Sequence, residues 1–389
     1  MFSGRMNYPP DIHNMKNYYV SEEMKRRGLT VNWVQLGGPK KRWNKDGIQF
    51  AVLRAPRGGH LPEALQALPL ALYCATRRIQ VVYEDEWLFL RKKPWARLAC
   101  QMILRGFGVK LVLDQRDPYV DFEIAAGELN EGTKIHRRLS LIRSLLLRQT
   151  DLIILPSEAY SELYISEGIP EKKVLGIFRG IDPEVFKPQV KPNDAKSKLG
   201  LEGRFVIGWF GLMHSYRMIK EIIVPLIENL AREIPNAHFL IGGEGPLLGE
   251  FDRLRSTEAG NSFTMLGTIP YTKLPDYIAA SDVTICPVST KFRFSTHSNW
   301  LKIAESVAVG TPIIATKTEI SKLDYSHLKG VVWVDSDYQS FLSALKNVQK
   351  DHGLLHSEAE DQARHFEAFS IESRIPRIVD RVLALVHAK

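Results

Sequence analysis

Short apolar runs alternate along this chain with stretches whose apolar residues recur every three or four positions. The runs TVNWVQL (30–36), IQVVY (79–83), KLVLD (110–114), DLIILPS (151–157) and KVLGIF (173–178) read as strands. Helical spacing fills 15–27, 94–106, 134–149 and 158–167, with Gly28 and Gly168 as stops. This rhythm predicts a parallel sheet covered by helices. FKPQVKPNDAKSKLGLEG (186–203), rich in Pro, Lys and Gly, interrupts it and reads as an interdomain connection. Strands then resume at RFVIGWFG (204–211), HFLIGGEG (238–245), SFTMLG (262–267), DVTICPV (282–288), PIIAT (312–316) and GVVWVD (330–335). Helices are predicted between them at 218–233, 247–258, 271–279 and 338–350, and a last amphipathic helix at 371–388. The expected fold class is α/β, with two doubly wound, Rossmann-like domains facing each other across a cleft. Their expected bounds are 1–187 and 204–370, with a linker at 188–203 and a C-terminal helix, 371–389, packing back on the first domain.

One stretch in the second half has two distinct faces. HSNWLKIAESVAVGTPIIAT (297–316) reads as a short helix, a glycine stop and a buried strand. Leu301, Ala304 and Ala308 form its apolar stripe, Gly310 suits a left-handed C-cap, and Pro312 keeps the helix from resuming. Ser298, Lys302 and Glu305 fall at i, i+4 and i+7 on the opposite side. That polar stripe is either a solvated Lys302–Glu305 pair or a face turned to a ligand.

Composition narrows the class. A chain of 389 residues with 44% hydrophobic and 10% aromatic content can bury two sizeable cores. No uncharged apolar run reaches the length of a membrane span, and MFSGRMNYPPD has no apolar signal-peptide region. Cys74, Cys100 and Cys286 sit apart in apolar surroundings and read as buried thiols of a reducing cytoplasm, without zinc spacing. Charge is unevenly divided: residues 1–188 hold 29 Lys and Arg against 21 Asp and Glu, and the remainder holds 23 of each. Nucleic acid is disfavoured, because no recognition signature accompanies the basic half. WLFLRKKPWARLACQMILRGFGVK (87–110) and KIHRRLSLIRSLLLRQ (134–149) mix cations with large apolar residues. They read either as sheet-packed helices with solvated cations or as a surface for an anionic membrane.

In parallel sheets ligands gather at the carboxyl ends of strands. Arg217 and Lys220 follow VIGWFG there, at a helix start that suits a phosphate. Gly243, Gly245 and Gly249 make a loose dinucleotide-like spacing in GGEGPLLG, better suited to close backbone approach than to NADP binding.

The order of these pieces resembles the retaining nucleotide-sugar glycosyltransferases of the GT-B fold, specifically glycosyltransferase family four. VLGIFRGIDPEVFKP (174–188) is similar to that family's domain boundary, VIGWFG to the start of its donor domain, and HFLIGGEGP to its glycine loop. FTMLGTIPYTKLPDYIAASDVTICPV (263–288) and LKIAESVAVGTPIIAT follow in the family's order, and LVLDQRDPYVD (111–121) resembles a strand and loop of some branches. The resemblance implies a donor domain at 204–370 and an acceptor-binding N-terminal domain. It makes Glu305 the carboxylate for the donor ribose and Arg217 the cation for the leaving phosphates. Backbone around Ser298, Asn299, Trp300 and Leu301 would face the diphosphate or sugar, with Gly211, Gly243 and Gly245 lining the donor. Thr268 and Ile269 would meet the base, and Arg116 or Asp117 would reach the transferred sugar.

The chain departs from the family at defined positions. His297 stands where a second Glu is usual, and Leu212 replaces an arginine of the phosphate clamp, a gap that Lys220 or Lys302 is placed to fill. The N-terminal glycine loop reads PPDIHNM, which makes Asp11, His13 and Asn14 the acceptor-side candidates, and the first strand shortens to Met1–Ser3. The implied activity is transfer of a sugar, with retention, from a UDP-, GDP- or ADP-linked donor to a lipid-linked or glycan acceptor. No cofactor or metal is called for, Asp335-Ser336-Asp337 reading as turn chemistry. The expected setting is the cytoplasm, at the inner membrane face. Two alternatives stand beside this: a catalytically impaired GT-B-like binding or scaffold protein, and a sugar-nucleotide epimerase.

Overall fold

Among the described residues, seven short strands belong to the first compact unit, which comprises Met1–Ile124, Glu128–Arg179 and Arg374–Lys389; Ala125–Gly127 and Gly180–Ser373 form the second. The computed structural model describes residues 15–36, 41–45, 48–53, 67–85, 94–115, 117–178, 180–186, 192–364 and 369–387. In the first unit β1 (Asn32–Leu36), β2 (Lys41–Lys45) and β3 (Ile48–Leu53) make a small sheet in the order β1-β3-β2. β1 pairs parallel with β3, and β2 runs antiparallel to it. Neither β2 nor β3 is among the expected strands. KRWNK is too polar to stand out as an apolar run, and the usable signal is Asp46-Gly47 between them, a favoured hairpin dipeptide.

The remaining strands of this unit, β4 (Val81–Asp85), β5 (Lys110–Asp114), β6 (Leu152–Leu155) and β7 (Val174–Gly176), lie side by side in chain order and all parallel. Each crossover therefore advances in one direction, and right-handed connections put the helices Pro94–Gly106 and Lys134–Gln149 on one face. Side chains fix the helix starts: Thr133 Oγ1 accepts from His136 N at 3.2 Å, and Ser157 Oγ from Tyr160 N at 3.0 Å. The C-terminal helix Ile371–His387 joins this unit through Arg377 and Glu158, 3.6 Å apart, and through Arg381 Nη2, which donates to Lys172 O.

The second unit carries six parallel strands: β8 (Phe205–Phe210), β9 (Ala237–Gly242), β10 (Phe263–Met265), β11 (Val283–Cys286), β12 (Ile313–Thr316) and β13 (Val331–Val334). Their order is β10-β9-β8-β11-β12-β13, so chain order reverses between β8 and β11. β8, β9, β11 and β12 are buried along their whole length, as continuous apolar runs in a parallel sheet should be. The helix Tyr338–Lys350 presents Phe341, Leu342, Ala344, Leu345 and Val348 to this core. The helix expected at 218–233 is broken instead. Pro225 cannot donate to the preceding turn, and ahead of it the ladder widens: Ile219–Ile223 is π-helical, with Ile223 N donating to Met218 O at 3.3 Å. Val224–Glu228 and Leu230–Glu233 follow as short separate helices. Among the described residues no helix is long and apolar enough to cross a membrane.

A buried ion pair ties the start of this unit to its sheet. Within 188–203, Pro192–Ser197 is helical, and Lys196 Nζ lies 2.5 Å from Asp282 Oδ2, both side chains largely buried. Asp282 Oδ2 also accepts from Val206 N at 2.7 Å, and Lys196 donates to Arg204 O at 3.0 Å. Asp282→Ala strands the ammonium without a counter-ion and is expected to cost about 3–5 kcal/mol in urea unfolding. A loss below about 1 kcal/mol, the size of a surface pair, contradicts this account.

Candidate functional site

A doubly wound sheet leaves a crevice at the carboxyl ends of the strands where its order reverses. Here those strands are β8 and β11, and the start of the loop after β8 is held by main-chain hydrogen bonds. Gly211 N donates to Gly242 O and Met213 N to Glu244 O, both at 2.8 Å. The loops lie so close that a Cβ on Gly243 would sit 1.9 Å from Gly211 O, and one on Gly245 would sit 2.7 Å from Met213 N. Both glycines have positive φ, 137° and 149°. What they approach is thus the backbone of the β8 loop, and their spacing shapes the crevice floor.

Arg217 ends the turn Ser215–Arg217 and is 8% exposed. Its guanidinium lies over Trp300, 4.1 Å from the ring centroid, and over Tyr216 at 5.3 Å. Tyr216 and Trp300 stack at 6.1 Å with 22° between planes, and Phe294 meets both edge-on. Trp300 Nε1 donates to Ser295 O at 3.0 Å, which fixes the indole. Yet Arg217 Nε and Nη1 are buried without a hydrogen-bond partner. A buried charged donor left unpaired is costly, and such groups are rare unless something else completes them.

The second cation comes from the stretch with two faces. Residues 293–309 form two helices, Arg293–His297 and Leu301–Val309, with Ser298 and Trp300 extended between them. Ser298 therefore leaves the polar stripe, while Lys302 and Glu305 stay one turn apart. No side chain caps the second helix at its start, and Gly310, at φ 88°, caps its end. Ser306 Oγ and Thr284 Oγ1, 2.7 Å apart, fasten it to β11. Glu305 is 7% exposed, which removes the solvated-pair reading. Lys302 lies across the end of β8: a Cβ on Gly211 would fall 2.4 Å from its Nζ and 2.6 Å from its Cε. Burial lowers the Lys302 pKa to about 8, with Arg217 pushing the same way and Glu305 opposing. At the end of β11 the Cys286 thiol feels the same three charges, and its burial pushes its pKa up. Two cations thus share one carboxylate beside a helix N-terminus, an arrangement with room for anionic charge.

The other sequence-derived residues are placed variously. Lys220 is exposed and pairs with Glu250 at 2.8 Å, away from this cluster. Leu212 is 49% exposed. Asn299 Oδ1 accepts from Tyr325 OH at 2.6 Å, and Asn299 Nδ2 and Ser298 Oγ are buried without partners. His297 Nδ1 lies 2.8 Å from Thr296 Oγ1 and 3.2 Å from Arg293 O, so its ring serves its own helix end. Thr268 Oγ1 donates to Glu244 Oε2 at 2.9 Å, and Ile269 fills the space that a Cβ on Gly242 would need. Asp337 caps Tyr338–Lys350, accepting from Ser340 N at 2.9 Å. Asp117 is half-buried in the first unit, after β5. Arg116, Asp11, His13 and Asn14 lie outside the described residues, as does Met1–Ser3. Sequence reasoning missed Tyr216 and Phe294 as walls of the site. Tyr216 is distant in sequence from Trp300, and only the reversal of strand order brings the two loops together.

The crevice at this reversal point, with its two cations and carboxylate, sits in a Rossmann-like domain, and the two-unit α/β chain has the GT-B fold of its structural neighbours. Residues 204–351 match the family Glycosyl transferases group 1. The chain is 27% identical over 251 residues to the UDP-Gal:alpha-D-GlcNAc-diphosphoundecaprenol alpha-1,3-galactosyltransferase of Escherichia coli, covering 61% of each. It is 22% identical over 185 residues to a component of the phosphatidylinositol N-acetylglucosaminyltransferase of Arabidopsis thaliana, covering 47% of this chain and 37% of that one. The matches therefore span less than two thirds of either curated relative. Among solved structures, sucrose-phosphate synthase from Thermosynechococcus elongatus superposes with a TM-score of 0.70 at 16% identity, over 97% of this chain and 94% of that one. Anabaena HepE in complex with UDP gives the same score and identity over 98% of both chains.

Because the folded state holds the Lys302 proton less tightly than the ordinary lysine value of 10.5, the unfolded chain binds more protons between pH 8 and 10.5. This group therefore costs stability at neutral pH and returns it as pH rises through that window. Lys302→Met is expected to be more stable than the native chain at pH 7, with the difference shrinking toward pH 10.5, in urea unfolding at several pH values. A variant less stable at pH 7 contradicts the assignment.

Proposed function

We propose that this protein transfers a sugar, with retention of anomeric configuration, from a UDP-linked donor to an acceptor held by the basic N-terminal unit. The observation that carries the reading is Arg217: a buried guanidinium held flat on Trp300, with two nitrogens unpartnered and Lys302 nearby. A diphosphate supplies the charge and the acceptor oxygens this arrangement lacks. UDP is favoured over GDP and ADP because the E. coli relative is named for UDP-Gal, and HepE structures carry UDP and UDP-glucose. The same relative's name points to an acceptor carrying a lipid-linked diphosphate.

In this reading Arg217 and Lys302 neutralise the departing diphosphate as the anomeric carbon–oxygen bond breaks. Lys302 takes the clamp position that Leu212 vacates. Glu305 accepts from the ribose hydroxyls, its two oxygens matching a vicinal diol. Thr268 and Ile269 border the base. The acceptor oxygen attacks from the face the phosphate leaves, and a phosphate oxygen takes its proton, so no enzyme nucleophile is needed. Arg116 or Asp117 contacts the transferred sugar, and Asp11, His13 and Asn14 meet the acceptor.

Thermal-shift and turnover assays with UDP-, GDP- and ADP-sugars test the reading, with the anomeric configuration of the product read by NMR. Stabilisation by UDP, and an α-linked product from an α-linked donor, are expected. No stabilisation by any nucleotide overturns the enzyme reading, and binding without turnover supports the scaffold alternative. UDP affinity is further expected to weaken as pH rises above about 8, where the free protein loses the Lys302 proton. Lys302→Met should flatten that dependence.

A further inference from the structure

The first unit carries a surface feature that the donor site does not explain. Six large apolar side chains among the described residues are more than half exposed, and five of them, Leu72, Met102, Phe107, Ile135 and Leu141, lie on or beside three neighbouring helices. These are Ala67–Thr76, Pro94–Gly106 and Lys134–Gln149. The latter two cover the same face of the sheet, and Arg105 Nη1 donates to Gln149 O, which joins their C-terminal ends. On Pro94–Gly106 the exposed Trp95 and Met102 are seven residues apart, hence on one side of the helix.

On Lys134–Gln149 the buried arc is Ile142, Leu146 and Leu147. Opposite it, helical spacing groups Lys134, Arg137, Arg138, Leu141 and Arg148, all exposed. This helix holds five Lys and Arg and no carboxylate, and Pro94–Gly106 holds two Arg and no carboxylate. Water-facing helices normally mix both signs of charge, whereas cations around exposed aliphatic and aromatic tips suit an interface that is anionic outside and apolar within.

We infer that the outer faces of Pro94–Gly106 and Lys134–Gln149 form a docking surface for an anionic lipid bilayer, with Met102 and Leu141 entering the acyl boundary and Arg137 and Arg138 meeting headgroup phosphates. A second copy of the chain does not fit this face, because like charges would oppose one another across it. The inference stands on the surface alone and is independent of the donor reading.

Co-sedimentation of the full chain with vesicles tests it. The protein is expected to pellet with phosphatidylcholine–phosphatidylglycerol vesicles and to stay in solution with phosphatidylcholine alone. R137Q/R138Q removes two cations and is expected to weaken the partition roughly 30-fold. M102S/L141S is expected to weaken it at least about tenfold. Both variants alter exposed positions, and melting temperatures equal to the native protein's show that they fold. Binding to neither vesicle, equal binding to both, or undiminished binding by R137Q/R138Q overturns the inference. Binding that M102S/L141S leaves intact identifies a surface for acidic polymers and overturns the lipid assignment.

Discussion

Two cations brought together against one carboxylate form the constraint on which the second unit depends. Burial lowers the Lys302 pKa first, the Arg217 charge adds to that shift, and Glu305 opposes it. Such a cluster survives in a folded protein when its surroundings over-determine it. Trp300 does so for Arg217 by stacking, and Gly211 does so for Lys302 by having no side chain. The buried guanidinium, with Nε and Nη1 unpartnered, is thus held in place.

Topology decides where this happens. The helix that carries Lys302 and Glu305 leaves the β11 side of the reversal, and the turn that carries Arg217 leaves β8. Each backbone is anchored independently, one by Ser306 on Thr284 and the other by main-chain bonds to the 242–245 loop. The sheet itself rests on the Lys196–Asp282 pair at its opposite end, so the packing that stabilises this unit and the crevice that gives it chemistry are spatially separate.

Much of this was legible in the sequence, for reasons that differ by element. KLVLD, the helix 134–149 and the helix 338–350 were readable to the residue, because buried parallel strands and amphipathic helices have strong periodic signatures. Glu305 and Arg217 were singled out by motifs that resemble the family's, and both side chains are buried. Three things were hidden. The helix at 218–233 breaks because one proline shifts a ladder that periodicity alone reads as continuous. The stripe Ser298–Lys302–Glu305 assumed one helix where a kink makes two. The different surroundings of Lys220 and Lys302 come from side-chain reach: the former bonds Glu250 at the surface, and the latter crosses the bare backbone of Gly211. Pairings of that kind follow from three-dimensional proximity, which a linear pattern does not carry.

The central claim is that Arg217 awaits a phosphate, and it is tested most directly by calorimetric titration of UDP and of uridine into the native protein and Arg217→Gln. Loss of a charge-assisted contact should weaken UDP binding by roughly 10- to 100-fold while leaving uridine binding unchanged. Equal weakening of both ligands, or unchanged affinity for UDP, would contradict the account.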